Sequence, residues 1–205
     1  MSTKLITAPA FLPITLAQAK VQCRVETGVT ADDALITTLI GVATQRCEQD
    51  IGRSVMKQTR EVVLDAPFPT AVRVHWLPVL VIESIKYLND AAVETTLAGT
   101  EYSSDDLADI ERLSFYVFPA FAKQWPGDVL DAPNAIRVRY RSGYSDSATE
   151  SVQQLAVPEA IKQWILMQVS AMYDQREGLA AGVTVNELPG RFVDGLLDRY
   201  RILLV

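Results

Sequence analysis

Hydrophobic residues recur along this chain first at helical spacing, then at every second position, then at helical spacing again. In the opening phrase "PITLAQAKVQCRV", Leu16, Ala19 and Cys23 share one narrow apolar face. Thr15 with Gln18 three residues on has the form of a capping box, and Pro13 bars an earlier helix start. Gly28 then interrupts the pattern. A stronger helix is predicted in "TADDALITTLIGVATQRCEQDIGR", with Thr30 or Asp32 as N-cap and Asp32 and Asp33 placed where the helix dipole favours negative charge. Ile36, Ile40, Ala43, Cys47 and Ile51 form one stripe and Leu35, Leu39 and Val42 an adjacent one, while Gly52 closes the helix.

From about Gln58 the period falls to two. "QTREVVLD", "VRVHW", "VIESIKYLND" and "AIRVRYRSGY" are rich in β-branched and aromatic residues and are bounded by Pro, Gly and Asn or Asp. In the second, Val72, Val74 and Trp76 are expected to share a face. In the last, Ile136, Val138 and Tyr140 should point one way and Arg137, Arg139 and Arg141 the other. Residues 91–133 are weakly patterned, with short strands predicted around Thr95 and Phe115 and a loop in "KQWPGDVLDAPN".

Helical spacing returns in "VPEAIKQWILMQVSAMYDQREG", from Pro158 at the first turn to Gln175. Ile161, Trp164, Ile165, Gln168, Val169 and Met172 make its core-facing stripe. Leu166, Met167, Ala171 and Tyr173 spill outside it, so the helix needs cover on more than one side. "GLAAGVTVNELPG" has connector composition. The closing "GRFVDGLLDRYRILLV" regains helical spacing through Phe192, Leu196, Tyr200 and Leu203 and stays apolar to its last residue, which implies docking.

Composition narrows the function. The chain has 205 residues, 49% hydrophobic and 21% charged, which is globular composition. No run reaches the roughly 18 apolar residues of a membrane span, and the N-terminus lacks the continuous apolar segment of a signal peptide. A formal net charge of −6 lacks the basic footprint of a dedicated nucleic-acid binder. Cys23 and Cys47, both within helical patterns, read as buried thiols.

No cofactor motif and no catalytic motif is present. The single histidine, His75, has no second histidine, HExxH or CxxC pair to work with. The acidic run Asp105, Asp106, Asp109 and Glu111 lacks the order and closing glutamate of a calcium loop and reads as a solvated loop or helix start. The stripe Arg137, Arg139 and Arg141 admits two readings: a face toward phosphates or an acidic partner, or an exposed strand face whose arginines pair with carboxylates on neighbouring strands. The two broad apolar helices and the apolar C-terminus favour assembly with partner subunits.

Taken in order, "PITLAQAKVQCRV", "DDALITTLIGVATQRCEQDIGRSVMKQT", "LPVLVIESIKYLND", "VPEAIKQWILMQVSAMYDQREG" and "LPGRFVDGLLDRYR" resemble the head–tail connector (neck adaptor) proteins of long-tailed bacteriophages and prophages. The resemblance covers both ends of the chain, about two-thirds of its length, and residues 98–134 match no pattern of the family. It implies a non-enzymatic virion protein made in the host cytoplasm. Such a protein forms a homo-oligomeric ring, dodecameric in the family, between the portal protein and a stopper or tail-completion protein. Genomic DNA passes through without sequence-specific binding, and no membrane or cofactor takes part.

The fold expected is α+β: a helical bundle with an inserted antiparallel β block and an extended C-terminal arm. Its parts are an N-terminal helical part at 1–57, the β-rich insertion at 58–145, the long helix at 146–178 and the linker and docking arm at 179–205. Leu35, Leu39, Val42, Leu166, Met167 and Tyr173 are the expected oligomer contacts, and Phe192, Leu196, Leu197 and Tyr200 the portal-docking ones. The alternatives are another neck or tail-completion protein, or a nucleic-acid-binding module using the three arginines.

Overall fold

The computed structural model describes residues 1–175, 193 and 195–202. They are mixed α and β, and they fall into two compact units that interleave along the chain. Met1–Ala10, Gly52–Asp146 and Ile202 belong to a β unit; Phe11–Ile51 and the described part of Ser147–Arg201 belong to a helical unit.

The helical unit contains α1 (Leu16–Gln22), α2 (Asp33–Ile51), α3 (Glu150–Ala156) and α4 (Glu159–Asp174). The capping box before α1 is present: the Gln18 N–H donates to Thr15 Oγ1 at 3.2 Å, and the Thr15 N–H donates to Gln18 Oε1 at 2.8 Å. Asp32 precedes α2, and its carbonyl accepts the Ile36 N–H. Gly52 follows α2 at φ +67°, the left-handed conformation that glycine adopts without a Cβ penalty.

α4 packs on α2, and α1 packs on both. Ile36, Ile40, Ala43 and Cys47 from α2 are buried, as are Ile161, Trp164, Ile165 and Val169 from α4 and Ala19 from α1. Gln168 and Met172, at the edge of the predicted α4 stripe, are half-buried.

Lys20 is a buried cation with all three ammonium protons used. It donates to the carbonyls of Thr27 at 3.1 Å and Val29 at 2.7 Å and to Asp33 Oδ1 at 2.7 Å, so one side chain fastens α1 to the start of α2. α3 is an addition to the elements legible in the sequence. It stops at Ala156 because Val157 precedes Pro158, and proline pushes its predecessor out of the helical region; Val157 has ψ 130°.

The β unit is two antiparallel sheets packed face to face. The five-stranded sheet runs β1 (Ser2–Thr7), β2 (Gln58–Leu64), β8 (Ile136–Ser142), β4 (Val79–Leu88), β5 (Glu94–Leu97). The three-stranded sheet runs β3 (Val72–Val74), β7 (Phe115–Pro119), β6 (Tyr102–Ser104). Their inner faces share one core: Val62, Ile85, Ile136, Val138 and Tyr140 from the larger sheet meet Val72, Val74, Phe115 and Val117 from the smaller. Ile202 packs against the same core.

Three particulars differ from the sequence reading. β1 is an edge strand with no hydrophobic alternation, so "STKLIT" carries no strand signal of its own. Trp76 does not share a face with Val72 and Val74, because β3 ends at Val74 and Trp76 turns to φ +62°. It lies instead under the Arg60 guanidinium, 3.9 Å from its ring. The C-terminal stretch forms a short 3-10 turn at Asp198–Tyr200 and goes extended at Arg201, in place of a helix continuing from Leu196 through Tyr200. Phe192 and Leu203 lie outside the described residues.

Candidate assembly surfaces

On the helical unit, the second stripe of α2 faces outward. Leu35 and Val42 are exposed, Val42 to 47%, and Leu39 is half-buried. On α4, Leu166 and Met167 are half-buried. A groove of about 310 Å³ runs between the two helices, with Val42 and Gln45 on one wall and Gln168 and Met172 on the other. The fold therefore brings Val42 beside α4. Tyr173 is tied into its own chain, since its hydroxyl donates to Asp32 Oδ2 at 2.6 Å.

The β8 arginines line the outer face of the five-stranded sheet, opposite the buried Ile136, Val138 and Tyr140. Each is matched by a carboxylate. Arg137 sits 3.4 Å from Glu94 on β5, and Arg139 donates Nε–H and Nη2–H to Glu61 Oε2 on β2 at 3.2 and 3.0 Å. Arg141 lies 3.1 Å from Glu83 on β4 and 2.8 Å from Asp146. Cross-strand pairing is thus the arrangement this face adopts. Lys86, also paired with Glu94, holds that carboxyl below the usual glutamate range, with a smaller contribution from Arg137.

The outer face of the three-stranded sheet is of another kind. Tyr116 and Phe118 occupy outward positions of its central strand β7, Arg73 and Ser103 flank them on β3 and β6, and Phe121 just beyond β7 is 100% exposed. The sequence pattern does not mark this face, because residues 98–134 show little period; the alternation of β7, buried–exposed–buried–exposed, lies in a strand only five residues long.

The acidic run before β7 serves local structure. Asp105 pairs with Arg112 at 3.3 Å and accepts the Tyr116 N–H, Asp106 accepts the Ala108 N–H, and Asp109 accepts the Glu111 N–H. Arg53 holds the far side of this loop. Its buried guanidinium donates to the carbonyls of Ile110, Glu111 and Arg112 at 3.0, 3.1 and 2.7 Å. No spacing rule in the sequence signals that contact, since the partners lie far along the chain. Among the described residues no three His, Cys, Asp or Glu side chains stand close enough to hold a metal ion.

Burial lowers the His75 pKa, and Arg73 lowers it further. The carbonyl of His75 accepts the Tyr140 hydroxyl at 2.5 Å. Cys23 and Cys47 are free and buried; burial raises both thiols, helped at Cys23 by Asp174 and at Cys47 by Glu48.

At the C-terminal end, Leu197 is fully buried, while Leu196 and Tyr200 are half-buried. Phe192 lies outside the described residues. No described helix is long and apolar enough to cross a membrane.

No known family profile matches the chain, and no curated protein is similar to it in sequence. Among solved structures, the fold corresponds along its whole length to a chain in the neck of an empty gene transfer agent particle, computed with C6 symmetry. The TM-score is 0.75 at 18% identity, over 100% of this chain and 97% of that one. A chain from the virion of the native gene transfer agent particle matches with the same coverage, identity and score. One from the native neck with C12 symmetry matches at TM-score 0.66. The α+β architecture described above is the fold of those particle components.

Proposed function

We propose that this protein is a structural neck component of a phage-like virion, a homo-oligomeric adaptor ring that joins the portal to a stopper or tail-completion protein and extends the DNA channel. The observation that carries this reading is the whole-length correspondence of fold with chains of gene transfer agent necks and virions. The sixfold and twelvefold symmetry of those necks supports a ring, with a dodecamer as the copy number. In this reading the protein does no covalent chemistry.

The residues fit such a role. A ring is a closed head-to-tail assembly, so each subunit must present two unlike faces. Leu35, Leu39 and Val42 on α2 and Leu166 and Met167 on α4 supply apolar contact area, with Tyr173 held ready by Asp32. Phe192, Leu196 and Tyr200 carry portal docking, and the buried Leu197 anchors that segment to its own subunit. A net charge of −6 suits a conduit along which DNA slides without sticking. The β8 arginines, each neutralised by a carboxylate, belong to a protein surface in preference to a phosphate track.

The test is imaging of the purified protein alone and with its cognate portal. Rings that stack coaxially on the portal are expected, and deletion of residues 186–205 should abolish stacking. A compact monomer that never joins the portal would overturn the reading; intact portal binding after the deletion would overturn the docking part alone.

A further inference from the structure

We propose that neighbouring copies also join through their β units, the aromatic outer face of the three-stranded sheet in one copy seating on the arginine ladder of the next. The proposal rests on the ring reading above and names a junction within it.

The inner faces of both sheets are consumed by one core, so their outer faces look away from each other on opposite sides of the unit. That is the placement a head-to-tail contact requires: two different surfaces of one subunit, directed apart. Their chemistry is complementary. On one side stand Tyr116 and Phe118, where an antiparallel sheet facing water would carry polar residues, and the fully exposed Phe121 follows just beyond the strand. Three exposed aromatics in six residues, 116–121, are more than scattered surface apolarity.

On the other side stand Arg137, Arg139 and Arg141, whose guanidinium groups stack well on aromatic rings. Their carboxylate partners hold them in place from neighbouring strands, so little side-chain freedom remains to be lost on contact. Arg73, beside Tyr116 on the aromatic face, adds one positive charge to set against the exposed Glu94 at the edge of the ladder.

Two double variants test this, Phe118→Ser with Phe121→Ser and Arg137→Gln with Arg139→Gln, alongside the single Phe121→Ser. Phe121 is wholly exposed, so its loss leaves the fold intact, which thermal unfolding of each monomer verifies. Particle mass is read across a protein concentration series. Each double variant should need about 30-fold more protein than the wild type to form rings, the scale of losing a central aromatic or arginine contact. Mixed one to one, the two double variants should give dimers, since one intact aromatic face then meets one intact ladder. Rings from both variants at wild-type concentration would overturn the proposal and leave the ring reading standing. A wild type that forms no ring at any concentration or on its portal would overturn both.

Discussion

The helical unit and the β unit present outward surfaces of different kinds, and the difference follows from how each element divides its residues. A helix distributes side chains around a full circle, so an apolar arc wider than its core contact leaves aliphatic groups such as Leu35 and Val42 at the surface. A strand has only two sides. In β8 the inward residues Ile136, Val138 and Tyr140 join the core, with a buried Ser142 after them, and every outward residue is arginine, whereas in β7 the outward residues Tyr116 and Phe118 are aromatic. Helices thus offer contact area graded around an axis, whereas a strand commits alternate residues to one face, where neighbouring strands add their own. In the proposed ring, a subunit combining both meets its neighbours through aliphatic grooves at one place and through ionic or aromatic faces at another.

The sharpest way to break the β unit, and with it the comparison, is at Gly143. Its φ is +136°, and an added Cβ would lie 2.8 Å from backbone atoms of Met56 and Lys57. Gly143→Ala should destabilise the protein by about 3 kcal/mol or more, read from denaturant unfolding, because backbone cannot yield as a flexible side chain can. The corresponding breakpoint in the helical unit is Lys20. Lys20→Met should cost about 3 kcal/mol by leaving Asp33 and two carbonyls without their cation, again read from the denaturation midpoint.

Surface changes should separate assembly from folding. Leu35→Asp with Val42→Asp should shift subunit stability by no more than about 0.5 kcal/mol while weakening ring formation about tenfold or more, measured by sedimentation. Unchanged rings would remove α2 from the interface.

The smallest effect should come from pH. His75 has a folded pKa below its unfolded value of 6.5, so the unfolded chain takes up its proton first as pH falls. Its contribution is present above pH 6.5 and is lost as pH falls through the folded value. His75→Gln should flatten the slope of stability against pH in that window, followed by thermal melts.

The arginine stripe marks the limit of what periodicity conveys. Alternation placed Arg137, Arg139 and Arg141 on one side, opposite Ile136, Val138 and Tyr140, and the structure has them there. Only pairing could say whether they were free. Glu61 and Glu94 face them because β8 lies between β2 and β4, with β5 beyond, an order that no local pattern carries. Arg53 is the extreme case. Among the described residues it is the largest fully buried side chain, and its role rests on carbonyls in a loop 57 to 59 residues away.

What the sequence determined by itself is what local physics decides: the capping box at Thr15, the glycine stop at Gly52, and the core stripes of α2 and α4. Each depends on residues within a turn or two of one another. The tertiary structure decided the rest. It added Ser2–Thr7 to a sheet edge, turned Trp76 under Arg60, separated α3 from α4, buried Leu197 and set an aromatic face opposite an arginine face. Those outcomes depend on which distant segments share a core, and burial is a property of the assembled fold that no short window of sequence contains.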